Sequence, residues 1–273
     1  MQPSKKTGRK FPTMNNPKKN SSGYSFIFIL LMPVSAILFL NFTDLRLPKI
    51  RTGTIQINFK NTVSGTPLVL DSGEYTNVFG ESYRVSKFKY YISNLSLNNA
   101  ISQQKEKESY HLVDARDTAS LRFSYRVNEG EYNDLFFLLG VDSIKNCSGA
   151  QTGALDPMND MFWTWNNGYV MAKLEGISPV STAVEQRMEY HIGGYRGRDN
   201  VIQKINLSAV KPIIVTEGKI TEIIIETDLS KWWQAKNRVA ITETPVCSTP
   251  GQLAKKIAAN YSNMFSIQTI TPN

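Results

Sequence analysis

Two tryptophans, Trp163 and Trp165, are the residues that first suggest chemistry, because they lie two positions apart in a segment rich in Gly, Asn and Asp. In a β-strand this spacing directs both indole rings to the same face of the sheet. Large aromatic side chains also dominate the interiors of β-sandwiches, so core packing is the alternative for both rings. The pair therefore predicts either an accessible aromatic site or part of a buried core.

The loop that precedes this pair carries Asp156, Asn159 and Asp160. Side-chain oxygens of this kind bind calcium, and they also form turns by accepting hydrogen bonds from nearby backbone amides. We favour the turn interpretation and keep calcium as the alternative.

Histidine is scarce, since His111 and His191 are the two histidines of the chain. A zinc site with three or four imidazole or thiolate ligands is therefore hard to assemble. The sequence has no Gly-x-Ser-x-Gly, phosphate-loop, His-Glu-x-x-His or Cys-x-x-Cys motif. We expect a protein that is not an enzyme, and the weaker alternative is an enzyme that uses carboxylates of residues 142–160.

The positive charge of the chain is concentrated at its N-terminal end. The chain has 31 Lys and Arg residues against 23 Asp and Glu residues, a net charge of +8. Residues 1–51 hold nine of the basic residues and one acidic residue, so they carry the whole excess and the rest is neutral. A neutral domain offers no basic surface to phosphate groups, which argues against nucleic-acid binding.

An uncharged apolar stretch, residues 24–42, follows a basic tail, residues 1–23. As a helix it would span about 28 Å, close to the hydrocarbon thickness of a bilayer. The positive-inside rule keeps the tail cytoplasmic and sends the following chain across the membrane. No Ala-x-Ala cleavage site follows, which favours a signal anchor over a signal peptide. We expect a linker at 43–52 and a membrane-tethered or secreted domain, 53–273, in the periplasm or at the cell surface.

The exported domain has the alternation of β-strands. Ile55, Ile57 and Phe59 alternate with polar residues, which is typical of a half-buried strand. Further strand candidates, several of them bounded by turn-forming residues, are 83–97, 110–113, 121–127, 135–141, 169–174, 188–192, 201–207, 213–215 and 220–227. Many short strands without helical periods between them predict an all-β, antiparallel β-sandwich-like domain.

A helix is predicted near the C-terminus. The run Thr249-Pro250-Gly251-Gln252 offers an N-cap, a proline at the first helical position and a capping-box glutamine. The apolar residues that then recur at helical spacing are Leu253, Ile257, Tyr261 and Met264.

The two cysteines, Cys147 and Cys247, both lie in the exported part of the chain. An oxidising compartment permits a disulfide between them, and closing a loop of about 100 residues would contribute ~4–5 kcal/mol in the chain-entropy model. Two free cysteines are the alternative.

Five segments of the exported domain are distinctive: FKYYISN at 88–94, GVD at 140–142, GALDPMNDMFWTWNNGYVMAKLEG at 153–176, HIGG at 191–194 and the closing PGQLAKKIAANYSNMF. Together they resemble the MbnP-like family of exported copper-binding proteins, which are associated with methanobactin operons. The resemblance spans nearly all of the exported domain and implies a β-sandwich-like fold.

The resemblance also implies a function and a site. In that family a partner of the di-haem cytochrome c peroxidase class is implicated in oxidising a tryptophan of the W-x-W motif to kynurenine, which then helps to bind copper beside histidine. Carried onto this sequence, the modified residue is Trp163 and the metal ligands are His191, Trp163 and His111. The residues expected to line the pocket are Trp165, Tyr169, Asp142 and Asp156. The alternative is a metal-free interaction module of the same fold at the cell surface.

Overall fold

A computed structural model describes residues 49–149, 151–164 and 168–272. The predicted basic tail and apolar span lie outside these residues, as does most of the predicted linker. Within them, no helix is long and apolar enough to cross a membrane.

The described domain is built mainly from β-strands, which confirms the predicted fold class. The strands are β1 Thr52–Val63, β2 Thr66–Pro67, β3 Tyr75–Thr76, β4 Ser82–Asn98, β5 Gln103–Lys105, β6 Tyr110–Asp114, β7 Arg122–Asn128, β8 Gly130–Leu139, β9 Phe162–Thr164, β10 Gly168–Ile177, β11 Arg187–Gly193, β12 Gln203–Val215, β13 Ile220–Asp228, β14 Val246–Cys247 and β15 Phe265–Pro272. The α-helices are α1 Ser143–Asn146 and α2 Gln252–Tyr261. Short 3-10 helices cover Thr118–Leu121, Gly153–Leu155, Pro157–Asn159, Val184–Gln186, Gly197–Asp199 and Leu229–Trp232.

Within the described residues the strands form two sheets. The smaller sheet has the order β15-β13-β1-β2, with β7 also pairing with β1. The larger sheet has the order β12-β8-β4-β10-β11-β14, with β3, β5 and β6 pairing with β4 and β9 pairing with β10. Most pairs are antiparallel as expected, but β1 pairs with β13, and β11 with β14, in parallel. Long stretches of chain separate the members of both parallel pairs, which leaves room for the crossover that such pairing requires.

Aromatic rings join the two sheets in the core. Phe59 on β1 packs against Tyr90 on β4, with ring centroids 5.9 Å apart, and Phe265 on β15 packs against Phe137 on β8 at 5.1 Å. The predicted alternation of the first strand holds, since Ile55, Ile57 and Phe59 are buried. These contacts define the inner face of the larger sheet, so its opposite, outer face is free to carry polar groups.

Helix α2 supports the larger sheet at its β11 side. Its residues Ala254, Ile257 and Tyr261 are buried, and the Tyr261 ring packs against Trp232 at 5.1 Å. Of the expected apolar residues, Ile257 and Tyr261 are buried on the helix, Leu253 is partly buried, and Met264 is buried just beyond the helix end. The expected cap is not confirmed, because the helix begins at Gln252 with Gly251 as its N-cap and without a side-chain capping bond.

Candidate functional site

Trp163 lies on β9, which pairs with the start of β10 through Gly168↔Thr164 and Tyr169↔Phe162. Trp165 lies outside the described residues, so its expected place in the pocket is not described. The Trp163 ring is partly buried and rests on Gly193 of β11. A β-carbon at Gly193 would lie 2.5 Å from Cζ3 and 2.9 Å from Cη2 of the ring. The hairpin therefore places this indole directly on the backbone of β11.

His191 lies two residues before Gly193 on the same strand. Alternate residues of a strand share a face, so the His191 side chain and the Trp163 ring lie on the same, outer face of β11. The imidazole Nε2 is 2.8 Å from Glu175 Oε1, and Nδ1 is 4.0 Å from Glu189 Oε1. Two of the predicted site residues, Trp163 and His191, are thus placed at the same part of the sheet.

A network of ion pairs continues from His191 across the outer face. Glu175 also pairs with Lys87 at 3.2 Å, and Lys87 pairs with Asp160 at 2.9 Å. Lys173, which is 4% exposed, lies 3.0 Å from Asp160 Oδ2 and also donates to the Asp160 backbone carbonyl. These contacts anchor the loop that leads into Trp163. We call Lys87, Asp160, Lys173, Glu175 and His191 the outer-face network.

The network keeps its carboxylates ionised. The hydrogen bond from His191 is the main reason that the pKa of Glu175 falls to about 2, with Lys87 adding to the effect against the opposing burial. Burial raises the pKa of Asp160, but hydrogen bonds from Lys87 and Lys173 outweigh it and lower that pKa to about 2. Negative charge therefore remains beside His191 through the physiological pH range.

His111 does not join His191, which corrects the expected pair of imidazole ligands. Lys173 on β10 pairs with His191 on β11 and, on its other side, with Lys89 on β4. His111 on β6 pairs with Ile92 on β4. Lys89 and Ile92 are an odd number of residues apart and point to opposite faces. The His111 ring instead stacks on Phe123 at 3.6 Å and contacts Glu106 at 2.8 Å.

Asp142 and Asp156 cap short helices instead of lining an open pocket. Asp142 Oδ1 accepts from the backbone amides of Ile144 and Lys145, and Oδ2 accepts from Asn94 and from the Tyr110 hydroxyl. Burial opposes ionisation of Asp142, but these hydrogen bonds lower its pKa.

Asp156 accepts from the Met158 amide at 2.9 Å, as expected for a turn. Both carboxylates serve local backbone structure, so the calcium interpretation has no support.

Tyr169 is buried behind the hairpin and is not exposed in a pocket. Its hydroxyl donates to Leu155 O at 2.7 Å, and its ring packs against Phe162 at 4.9 Å. Its backbone amide donates to Asn146 Oδ1 at 2.9 Å. Asn146 thus fixes the return strand of the hairpin, a role that nothing in its local sequence indicated.

The expected disulfide between Cys147 and Cys247 is wrong, because both cysteines are free. Cys147 is exposed, and a hydrogen bond from Arg196 Nη2 at 3.3 Å lowers the pKa of its thiol. Cys247 is buried on β14, and burial raises the pKa of its thiol to about 11. Cys147 thus lies at the surface beside Arg196, whereas Cys247 is packed in the interior of the domain.

The donor set around His191 fits copper in type. Imidazole is a good copper ligand, and carboxylates can complete such a site. In the part of the chain that is described, however, no group of three or more His, Cys, Asp or Glu side chains is arranged to hold a metal ion. A large apolar groove lies elsewhere, between β12 and β15, and contains none of the predicted site residues.

Comparisons with known proteins place the chain in a family. The solved structure of MbnP from Methylosinus trichosporium is similar to it, with 14% sequence identity and a TM-score of 0.41, over 64% of this chain and 76% of that one. No curated protein sequence matches the chain. The family model for MbnP matches residues 52–249, which is well over half of the sequence, and the chain therefore belongs to the MbnP family.

Proposed function

We propose that this chain is an exported, non-enzymatic copper-binding protein whose site lies on the outer face of β11. The MbnP family is associated with copper. The observation that carries the proposal is the position of Trp163, whose ring rests on Gly193, two residues from His191 on the same face. A donor formed from this ring would lie on the sheet face that also carries the imidazole.

Unmodified indole lacks a good lone pair for a metal, so the proposal includes oxidation of Trp163 to kynurenine. Oxygen atoms add at Cγ and Cδ1, the bond between these atoms breaks, and hydrolysis releases Cδ1 as formate. Two equivalents of peroxide supply the oxygen atoms and leave as water. The proposed oxidant is a partner of the di-haem cytochrome c peroxidase class acting with peroxide. The product carries an arylamine nitrogen and a ketone, both of which can bind a metal.

Within this site the residues of the chain would have distinct roles. His191 would supply the imidazole, and the modified Trp163 the second donor. Glu175 already accepts a hydrogen bond from His191, so it would orient the imidazole, as carboxylates commonly do for metal-binding histidines. Copper would be the bound ligand in this proposal, and these residues would hold it.

Export rests on the N-terminal sequence. The basic tail and the apolar stretch at 24–42 support a signal anchor, or a signal peptide, with the domain in the periplasm or at the cell surface. Both cysteines are free in the structure, so this part of the proposal does not depend on a disulfide.

Copper titration of the purified domain, with and without the oxidase, tests the proposal. We expect His191→Ala to weaken copper binding by at least about tenfold, because loss of a group that only orients a metal ligand already costs about that much. His111→Ala is the matched control, because His111 lies on the other face, and should leave the affinity unchanged in folded protein. Equal affinity for His191→Ala and wild type would overturn the ligand assignment.

Mass spectrometry of native protein tests the modification. The peptide that contains Trp163 should gain two oxygen atoms and lose one carbonyl unit. An unmodified peptide in protein produced together with a cognate di-haem enzyme would refute the modification.

The second candidate is a metal-free interaction module. Its supporting observation is that protein carboxylates already flank both ring nitrogens of His191, with Glu175 2.8 Å from Nε2 and Glu189 4.0 Å from Nδ1. Absence of copper binding in both oxidised and unoxidised protein would favour this candidate.

A further inference from the structure

We propose that Gly193 is a positioning residue: because it has no side chain, the six-membered ring of Trp163 can pack directly on its backbone. We call this contact surface on Gly193 the seat. The expected effect of this contact on copper binding rests on the proposed function. The packing itself is a property of the folded chain, and it can be tested without metal.

Space, and not backbone conformation, accounts for glycine at position 193. Its φ does not fall in the left-handed region, so an L-residue could adopt the same backbone. A side chain could not be accommodated, because its β-carbon would lie 2.5 Å from Trp163 Cζ3 and 3.0 Å from Tyr169 O. Carbon atoms in favourable contact are about 3.5–4.0 Å apart. The neighbouring Gly194 is different, since its φ of +126° favours glycine in its own right.

The seat contacts the part of the indole that the proposed oxidation retains. Cζ3 and Cη2 belong to the six-membered ring, whereas the proposed reaction opens the five-membered ring at the bond between Cγ and Cδ1. The retained ring would therefore stay on Gly193 while its arylamine nitrogen is formed. Gly193 would thus set the distance between this nitrogen and His191.

The other side of the ring is fixed by backbone pairing. Val170 N donates to Met161 O at 2.9 Å, and β9 pairs with β10 through Gly168↔Thr164. The strand that carries Trp163 therefore cannot move away freely to admit a side chain at Gly193. We expect substitution of Gly193 to displace the ring within an otherwise intact sheet.

Fluorine NMR of protein labelled with 7-fluorotryptophan tests this directly. The label places fluorine on Cζ2 and leaves Cζ3 and Cη2 with their hydrogens. The chain has four tryptophans, and Trp163→Phe identifies the Trp163 resonance. In Gly193→Ala we expect that resonance to shift while those of the buried Trp232 and Trp233 stay in place.

Gly218→Asn is the matched control. Gly218 also gains a side chain, but nothing lies within 4 Å of its β-carbon position, and asparagine tolerates its φ of +71°. Its spectrum should match the wild type. An unshifted Trp163 resonance in folded Gly193→Ala would overturn the proposal.

A double variant covers the case in which Gly193→Ala fails to fold. If the ring is the main obstacle, Gly193→Ala should cost less stability in a Trp163→Ala background than in the wild type, where the ring lies 2.5 Å from the new β-carbon. An equal cost in both backgrounds would overturn the proposal.

Copper affinity separates this inference from the proposed function. If wild-type protein binds copper after oxidation, Gly193→Ala should reduce the affinity by about tenfold, like other changes to groups that position ligands. If the Trp163 resonance shifts in Gly193→Ala but the copper affinity is unchanged, the claim that Gly193 positions the ring for copper binding is overturned. If wild-type protein binds no copper, the proposed function fails, and the resonance shift still decides whether the seat exists.

Discussion

Asn146 ties the Trp163 hairpin to the rest of the larger sheet, and its replacement is the most informative stability test of the site. The residue is 3% exposed. Its Oδ1 accepts from Tyr169 N at 2.9 Å, while Nδ2 donates to Val141 O at 2.7 Å and to Asp142 O at 3.0 Å. One side chain thus joins the end of β8 and the start of α1 to the first residues of β10.

The expected loss follows from these three hydrogen bonds. Each contributes about 1 kcal/mol net, and a buried amide left without a partner costs about 1–3 kcal/mol. Asn146→Ala should therefore lower the free energy of unfolding by ~3 kcal/mol. Asn146→Asp keeps the acceptor for Tyr169 but turns a carboxylate oxygen towards two carbonyl oxygens, so we expect a loss at least as large.

Urea unfolding at neutral pH measures this loss, with Asn206→Ala as the control. Asn206 is exposed on β12 and makes a single long hydrogen bond of 3.3 Å to Asp134, so its replacement should change stability by less than about 0.5 kcal/mol. Hydrogen exchange at the Tyr169 amide should also accelerate more than exchange in β13. If Asn146→Ala is no more destabilising than Asn206→Ala, the reasoning is refuted.

Three further predictions concern other charged or reactive groups. Hydrogen bonds outweigh burial and hold the pKa of buried Glu81 below its ordinary value of 4.5. Ionised Glu81 therefore stabilises the fold above pH 4.5, and this contribution is lost as the pH falls through the folded-state pKa. Glu81→Gln should therefore cost about 2 kcal/mol in urea unfolding at pH 7, with the deficit shrinking in acid; a constant deficit would contradict this. Cys147, whose thiol pKa is lowered by Arg196, should react with iodoacetamide in folded protein far faster than buried Cys247, as read by peptide mass. Lys173→Met should destabilise the fold by about 1–2 kcal/mol, because it removes the hydrogen bonds to Asp160 while Lys87 still pairs with that carboxylate. It should also speed proteolysis of the loop before Trp163, and normal resistance would contradict its anchoring role.

The fold class could be predicted because burying one face of a strand makes apolar and polar residues alternate in the sequence. Ile55, Ile57 and Phe59 alternate in the sequence and are all buried in the structure. The apolar face of α2 is visible for the same reason. Strand partners leave no such pattern, and β1 pairs in parallel with β13, more than a hundred residues away in the sequence. This pairing could not be derived from local patterns.

The site could be predicted only in part, because it depends on register. Trp163 and the HIGG segment were recognised as motifs, and the structure brings them into contact at Gly193. Whether His111 would join them depended on which residue of β4 it faces. A shift of one residue in that pairing would have moved His111 to the other face of the sheet. Asn146 was missed because a buried asparagine resembles any loop asparagine in sequence.

This arrangement constrains how copper could be bound. The chain has two histidines, and they lie on opposite faces of the larger sheet, so each face has one imidazole. A site on the outer face must therefore take its other donors from groups beside His191. Among the described residues, the groups beside His191 are the carboxylate of Glu189 and the ring of Trp163, since Glu175 already holds the imidazole. Indole without oxidation donates poorly, so we expect the oxidation state of Trp163 to control copper affinity, whereas the presence of His111 should have no effect.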